Sequence, residues 1–151
     1  MNPSPSPNPH VAAMSAYVPG EQPQGGAWVK LNTNENPHPP SEAALVAIKS
    51  AVAGDGAALR LYPSPDSSPL REAAAKVHDF PADRIVAGNG SDDLLNLIIR
   101  AYAGPGRAVG MLDPSYSLYP VLAAAQGAPV VKVPVLPDLS FDLEAAAACT
   151  G

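Results

Sequence analysis

Cysteine is nearly absent from this chain: Cys149 is the only one among 151 residues, so no disulfide can form within a single chain. Basic residues are also few. The nine lysines and arginines are scattered singly and the formal net charge is −5, a balance that disfavours a nucleic-acid surface. No apolar run approaches the roughly 18 residues that span a bilayer, and the first ten residues lack the apolar stretch of a secretory signal. We therefore expect a cytoplasmic protein without a membrane segment.

Proline, in contrast, is abundant, with 19 in the chain. Four of them lie in the first nine residues and predict a disordered tail over residues 1–12. Most others mark joints between elements, where proline starts or ends structure without breaking it. We expect residues 13–40 to form an N-terminal arm with a polar loop, and residues 41–151 to form the main domain.

Strands and helices are predicted to alternate along this domain. The patterns predict strands over 28–31, 84–87, 108–112 and 130–135. They predict helices over 41–52, 68–78, 92–103 and 116–126, and a last helix that Asp142 caps. The helix over 92–103 carries too many leucines and isoleucines for one stripe, so we expect it to be largely buried. The alternation implies an α/β fold, with a mostly parallel sheet and flanking helices.

The segment over 84–95 carries the strongest chemical signal. A predicted strand runs into Gly88-Asn89-Gly90-Ser91 and then into an apolar helix. Glycines allow close backbone approach, and a helix start presents unpaired N–H groups and a partial positive charge, so the geometry suits a phosphate. Neither the third glycine of the dinucleotide fingerprint nor the lysine of the P-loop follows. An ordinary strand-to-helix turn capped by Ser91 is therefore the alternative.

Donors in this turn are the hydroxyl of Ser91 and the backbone amides of Gly90, Ser91 and Asp92. The carboxylate of Asp92 would repel a phosphate, so we expect it to satisfy the helix start instead. Two tyrosines, Tyr116 and Tyr119, follow the next strand at the same expected sheet edge. One of them could stack on a planar ring, and packing at the core edge is the alternative.

Other polar candidates lie earlier in the chain. Tyr62 could reach a phosphate with its hydroxyl, or simply pack a turn. Asn36, in a polar loop, could bind a substrate or be only solvated. The three histidines have no metal-ligand spacing between them, so no metal site is expected.

Five segments together resemble the histidinol-phosphate aminotransferase family of pyridoxal 5'-phosphate enzymes. They are SAYVPGEQP (15–23), KLNTNENPHPPS (30–41), RLYPSPDSSPLREAAAKVHDF (60–80), RIVAGNGSDDLLNLIIRAYAGPG (84–106) and DPSYSLYPVLAAAQGA (113–128). They occur in family order and at family spacing, over roughly residues 15 to 145. The resemblance implies the aspartate-aminotransferase fold, the type I fold of pyridoxal-phosphate-dependent transferases. Residues 41–151 would then be an incomplete cofactor-binding large domain.

The resemblance also implies cofactor roles. Gly90, Ser91 and Asp92 match the loop that binds the cofactor phosphate. Tyr116 matches the aromatic residue that stacks on the pyridine ring. Tyr62 matches the tyrosine that crosses a homodimer interface to the partner's cofactor phosphate.

Substrate-side contacts match Asn36 and Tyr17, although Ala16 stands where the family commonly has proline. The implied reaction moves an amino group between histidinol phosphate and 2-oxoglutarate or glutamate, in histidine biosynthesis. Near alternatives within the same fold are an aromatic-amino-acid aminotransferase and a threonine-phosphate decarboxylase. A non-catalytic phosphate-binding module is the alternative from another class.

The Schiff-base lysine of the family has no match here, because none of the four lysines lies in a corresponding context (Lys30, Lys49, Lys76, Lys132). The resemblance places that lysine, the phosphate arginine and the small C-terminal domain beyond Gly151. We therefore expect this chain to be the N-terminal portion of an aminotransferase. By itself we expect it to be inactive and to bind the cofactor weakly or not at all.

Overall fold

The computed structural model describes residues 5–17, 19–21 and 24–148, which divide into two compact units. One, the sheet unit, comprises residues 5–17 and 88–148. The other, the helical unit, comprises residues 19–21 and 24–87. Each unit has its own secondary structure.

Two parallel strands form the centre of the sheet unit. Strand β1 (Val109–Asp113) pairs with strand β2 (Val130–Pro134), with Val109 opposite Val130 and Asp113 opposite Pro134. Helix α5 (Leu118–Ala125) lies between them in the chain, as a parallel crossover requires. The predicted α/β class and the two predicted strands are confirmed.

Helices α1 (Pro9–Ala12) and α4 (Gly90–Tyr102) both contact α5 in the sheet unit. The helical turn α1 differs from the disorder predicted for residues 1–12, because the amide of Ala12 donates to the carbonyl of Asn8. Residues 1–4 of the predicted tail lie outside the described residues.

Helix α6 (Leu143–Ala148) confirms the predicted cap, because the Asp142 carboxylate accepts from the Ala145 amide at 2.9 Å. The predicted continuation over 149–151 lies outside the described residues. Within the described ranges, no helix is long and apolar enough to cross a membrane.

The helical unit contains α2 (Glu42–Ala51) and α3 (Ser68–His78), with short 3₁₀ turns at Ala57–Arg60 and Ala82–Arg84. Both predicted helices are confirmed within one or two residues. The Ser41 hydroxyl caps α2 by accepting from the Ala44 amide at 3.2 Å. Helix α3 has its predicted proline in the first turn, where the missing N–H is not needed.

Two predicted strands are wrong. Among the described residues, 28–31 and 84–87 have no strand partner, and residues 82–84 form a 3₁₀ turn instead. The backbone is extended at Ile85, with φ −105° and ψ 130°. A strand is stabilised by hydrogen bonds to a neighbour, which an apolar pattern alone does not supply.

The buried core is small and lies in the sheet unit. Its apolar members among the described residues are Ile99, Leu118, Ala123, Ala128 and Val133. The prediction that α4 is largely buried is wrong, since Leu97 and Ile98 are 45% and 55% exposed. The accessible surface is 12471 Å², whereas two compact globules of this total mass would expose about 8,700 Å². Much apolar surface is therefore uncovered.

Candidate functional site

Two glycines shape the turn that leads into α4, for different reasons. Gly90 has φ +82°, in the left-handed region that side chains rarely adopt. A Cβ at Gly88 would lie 2.9 Å from the Oδ2 atom of Asp93 and 2.9 Å from the Cδ2 atom of Leu94. Gly90 therefore permits the turn, and Gly88 permits the close approach of the helix start.

The first backbone amides of an α-helix such as α4 have no carbonyl partner within the helix. The Gly90 amide donates to the Gly88 carbonyl at 2.9 Å. Among the described residues, the amides of Ser91 and Asp92 have no acceptor, and the Ser91 hydroxyl has no partner. Of the predicted donors, two amides and one hydroxyl thus remain free. A Cβ built at Gly90 would meet nothing within 4 Å, so the space beside it is open.

The carboxylates at this helix start have roles different from those predicted. Asp93 accepts from the Asn89 amide at 3.0 Å, so Asp93 and not Asp92 satisfies the helix start. Ser91 was predicted as the cap, but α4 begins at Gly90 and Asn89 takes the cap position. The helix begins before the predicted residue 92, because the turn conformation of Gly90 starts the helix ahead of its first apolar residues. The spacing from Asn89 to Asp93 is a signal that sequence reasoning missed.

Asp92 instead contacts the tyrosine that follows β1. The hydroxyl of Tyr116 donates toward Asp92, at 3.4 Å from both Oδ1 and Oδ2. The two turns that were expected at one sheet edge therefore meet through these side chains. This contact joins two residues that were predicted separately.

Tyr116 is held on further sides by two other tyrosines. Its ring lies edge-to-face against Tyr119, with centroids 5.6 Å apart and an interplanar angle of 86°. Half-buried Tyr17, together with burial and the charge of Asp92, raises the pKa of Tyr116 to about 12. The phenol therefore keeps its proton at neutral pH.

Two predicted site residues lie in the helical unit. The Tyr62 side chain is fully exposed on the loop before α3, and its hydroxyl has no partner among the described residues. The Asn36 carboxamide oxygen accepts from the His38 amide at 3.0 Å, so it is used in a local turn. Its amide nitrogen is the group left for a ligand.

The loop between Tyr62 and α3 is held by a hydrogen-bonded network that was not predicted. Arg71 donates through Nε and Nη2 to the Ala82 carbonyl at 3.0 and 2.7 Å. The Ser64 hydroxyl and the Ser68 amide donate to Asp66 and hold its pKa below the usual value. The spacing from Asp66 to Ser68 is an Asx-turn signal, whereas nothing near Arg71 in sequence indicates its acceptor.

A cleft of about 420 Å³ also lies in the helical unit. It contains none of the residues predicted to bind a cofactor or substrate. Its lining residues are Glu21, Trp28, Val29, Lys30, Leu31 and Asn32. Beside it, the ammonium group of Lys30 donates to Glu35 and holds the pKa of that carboxyl below its usual value.

Comparisons with known proteins identify the family of this chain. The family model "Aminotransferase class I and II" matches residues 27–150. The histidinol-phosphate aminotransferase of Geobacter sulfurreducens is 50% identical over 131 residues, which cover 86% of this chain and 37% of the relative. That of Synechocystis sp. is 45% identical over 141 residues, covering 93% and 39%, and that of Rhodopirellula baltica is 45% identical over 127 residues, covering 83% and 34%.

The chain thus spans less than two-fifths of the length of these relatives. The family match covers most of the chain and includes α4, β1, Tyr116 and the loop with Tyr62. This chain belongs to the class I and II aminotransferases, a family that depends on pyridoxal phosphate.

Proposed function

We propose that this chain supplies the cofactor-phosphate seat and the ring-stacking residue of a histidinol-phosphate aminotransferase. One observation carries the proposal: the free amides of Ser91 and Asp92 and the Tyr116 side chain lie at the same helix start. An anion fits there because the amides and the helix dipole both favour negative charge. An aromatic ring beside that anion suits a phosphorylated pyridine.

The residues present fit pyridoxal phosphate. The amides of Ser91 and Asp92 and the Ser91 hydroxyl would hold the phosphate, and Tyr116 would lie against the ring. When bound, the cofactor acts as an electron sink for bonds at the substrate carbon. The chain's own part is to bind and orient, and open space beside Gly90 leaves room for the phosphate.

Weak cofactor binding is expected from the chain by itself. Hydrogen bonds to a charged group contribute about 1.5–3 kcal/mol each, and three free donors are available. Association costs at least about 4 kcal/mol in lost freedom, and the carboxylates of Asp92 and Asp93 oppose a dianion. The balance favours a dissociation constant of about 1 mM or weaker, and no amino transfer by the chain alone.

The complete enzyme would exchange the amino group of histidinol phosphate with 2-oxoglutarate or glutamate, in histidine biosynthesis. The names of the relatives support histidinol phosphate as the substrate. Full exposure of Tyr62 supports its role across a homodimer interface, because its side chain is accessible to a ligand bound in the partner subunit. The free amide nitrogen of Asn36 supports a substrate contact.

Titration followed by NMR tests the phosphate seat directly, because it detects millimolar binding. Pyridoxal phosphate and 4'-deoxypyridoxine 5'-phosphate, which lacks the aldehyde, should shift the amide resonances of Ser91 and Asp92. Gly110, a strand glycine with open space around it, is the internal control. Equal shifts from pyridoxal without phosphate, or shifts no larger than that of Gly110, would contradict the proposed seat.

Substrate preference is tested on a full-length enzyme that contains this chain. We expect glutamate to form from 2-oxoglutarate when histidinol phosphate is the donor. Faster turnover with an aromatic amino acid, or carbon dioxide release from threonine phosphate, would assign the same fold to another reaction.

A further inference from the structure

Three residues predicted to have separate roles form one polar cluster in the sheet unit. Tyr17 comes from the N-terminal segment, Asp92 from the first turn of α4, and Tyr116 from the loop after β1. The Tyr116 hydroxyl donates toward both carboxylate oxygens of Asp92 at 3.4 Å, and Tyr17 lies close enough to raise its pKa. The cluster therefore joins three segments that are distant in sequence.

We propose that Asp92 and Tyr17 are positioning residues for Tyr116, holding its ring in the orientation that a planar ligand requires. The identity of the planar ligand rests on the proposed function, whereas the positioning of the Tyr116 ring does not. Asp92 contributes through its side chain, in addition to the backbone amide that the phosphate seat uses. Tyr17 contributes by bringing the N-terminal segment onto the same site.

The geometry explains why more than one anchor is needed. An O–H···O distance of 3.4 Å is long compared with the usual 2.5–3.0 Å, so the contact with Asp92 alone is weak. Tyr116 is 42% exposed, so packing against the rest of the unit does not by itself prevent rotation of its side chain. Tyr119 supports one edge of the ring at 5.6 Å, while Tyr17 and Asp92 hold the hydroxyl. Ring and hydroxyl are thereby restrained together.

Independent observations place the N-terminal segment against this unit. Residues 5–17 group with residues 88–148 and not with the segment that follows them in the chain. Helix α1 contacts α5, and a Cβ at Gly127 would lie 3.5 Å from the His10 ring. Tyr17 is half-buried. The contact of Tyr17 with Tyr116 thus belongs to a wider packing of this segment.

Tyrosine NMR of the full chain, labelled with ¹³C at Cζ, provides the test without any cofactor. The chain has five tyrosines, and Tyr116→Phe identifies the resonance. We expect Tyr116 to titrate near pH 12, where its pKa is raised by Tyr17, burial and Asp92. Tyr17→Phe should move its midpoint toward the ordinary value of about 10, and Asp92→Asn should move it in the same direction.

A control and a second measurement keep the test decisive if alkali unfolds the chain. Tyr102→Phe, which changes an exposed tyrosine at the end of α4, should leave the Tyr116 midpoint unchanged. At pH 7.5 the Tyr116 Cζ shift should change in Asp92→Asn and Tyr17→Phe but not in Tyr102→Phe. A Tyr116 that titrates near the ordinary tyrosine value of about 10 in a folded chain overturns the proposal, as does a neutral-pH shift that no variant moves.

The ligand step is tested separately with pyridoxal phosphate in the same NMR titration. Asp92→Asn also removes a charge that opposes the phosphate, so its effect on binding is compared between two backgrounds. If Asp92 acts through Tyr116, the substitution should change binding less favourably in the wild-type background than in the Tyr116→Phe background. An equal effect in both backgrounds overturns the positioning role. A full-length enzyme that contains this chain and shows the Tyr116 couplings but binds no pyridoxal phosphate would instead refute the proposed function, so the two failures are distinguishable.

Discussion

At the scale of single residues, backbone freedom and side-chain charge decide the geometry of the α4 start. Gly90 adopts a left-handed conformation, and Asp93 takes the hydrogen bond that starts the helix. These two local choices leave the amides of Ser91 and Asp92 free. The same residues therefore fold the turn and create its capacity for an anion.

Replacing Gly90 with alanine should disturb both properties. A side chain at φ +82° is strained by about 1–2 kcal/mol, so we expect faster amide exchange in the first turn of α4 and weaker binding of pyridoxal phosphate. Gly110→Ala is the matched control, because Gly110 lies in β1 with open space around it. If both variants behave alike, the turn conformation is not what the site requires.

Protonation of Asp66 should loosen the loop before α3. Its pKa is lowered in the folded state by Ser64 and Ser68, so its stabilising effect is present above the unfolded pKa of about 3.9. That effect is lost as the pH falls through the lower folded value. Asp66→Asn should remove this part of the acid sensitivity of α3. Amide exchange in α3, measured between pH 2 and pH 6, tests this expectation.

Asp83→Asn is the matched control, since Asp83 has no side-chain hydrogen bond among the described residues. Its acid profile should follow that of the wild type. An Asp66→Asn profile identical to the wild type would mean that the Asx turn does not depend on the charge.

At the scale of elements, α4 illustrates how an apolar sequence can remain half uncovered. Its pattern predicts burial on several faces, yet Ile99 is the only buried residue among those described in α4. The neighbouring apolar side chains, Leu97 and Ile98, remain exposed. The apolar faces exceed what the described residues of the sheet unit can cover.

Adjacent isoleucines in α4 provide a direct comparison. Ile99→Ala should destabilise the sheet unit by about 2–4 kcal/mol, because it removes buried methyl groups and leaves a cavity. Ile98→Ala should cost less than about 1 kcal/mol, because its side chain is 55% exposed. The loss of amide-exchange protection in β1 measures the destabilisation caused by each substitution. Equal losses in the two variants would mean that the Ile98 side chain is covered in solution.

At the scale of the whole molecule, many large apolar side chains are exposed. Among the described residues the two-stranded sheet has no further strand at either edge, and the accessible surface of 12471 Å² far exceeds that of compact globules. Surface of this kind favours association with other apolar surfaces. It also reduces the free-energy gap that makes unfolding cooperative.

We therefore expect the isolated chain to unfold over a broad range of urea and to bind the dye ANS before unfolding. Circular dichroism in the far and near ultraviolet should give transitions that do not coincide, because packing is lost before helices. A sharp, reversible transition of a monomer, identical by both probes and without ANS binding, would contradict this expectation.

Much of the local structure followed from local sequence patterns. The caps at Ser41 and Asp142, the helices α2 and α3, and the glycine turn before α4 depend on hydrogen bonds between residues a few positions apart. Such bonds form from the segment alone, so the sequence pattern determines them. The family segments likewise predicted a match that the comparisons confirmed.

Only the tertiary structure decided which patterns acquire partners. Within the part of the chain that the structure describes, the segment over 84–87 has no neighbouring strand and α4 is buried at Ile99 alone. The Asp92 carboxylate contacts Tyr116 instead of the helix start. Strand pairing, burial and side-chain clusters depend on residues far apart in sequence, and no local pattern specifies which distant group arrives. The sequence therefore determined the turn proposed to bind an anion, and tertiary contacts decided which side chains surround that turn.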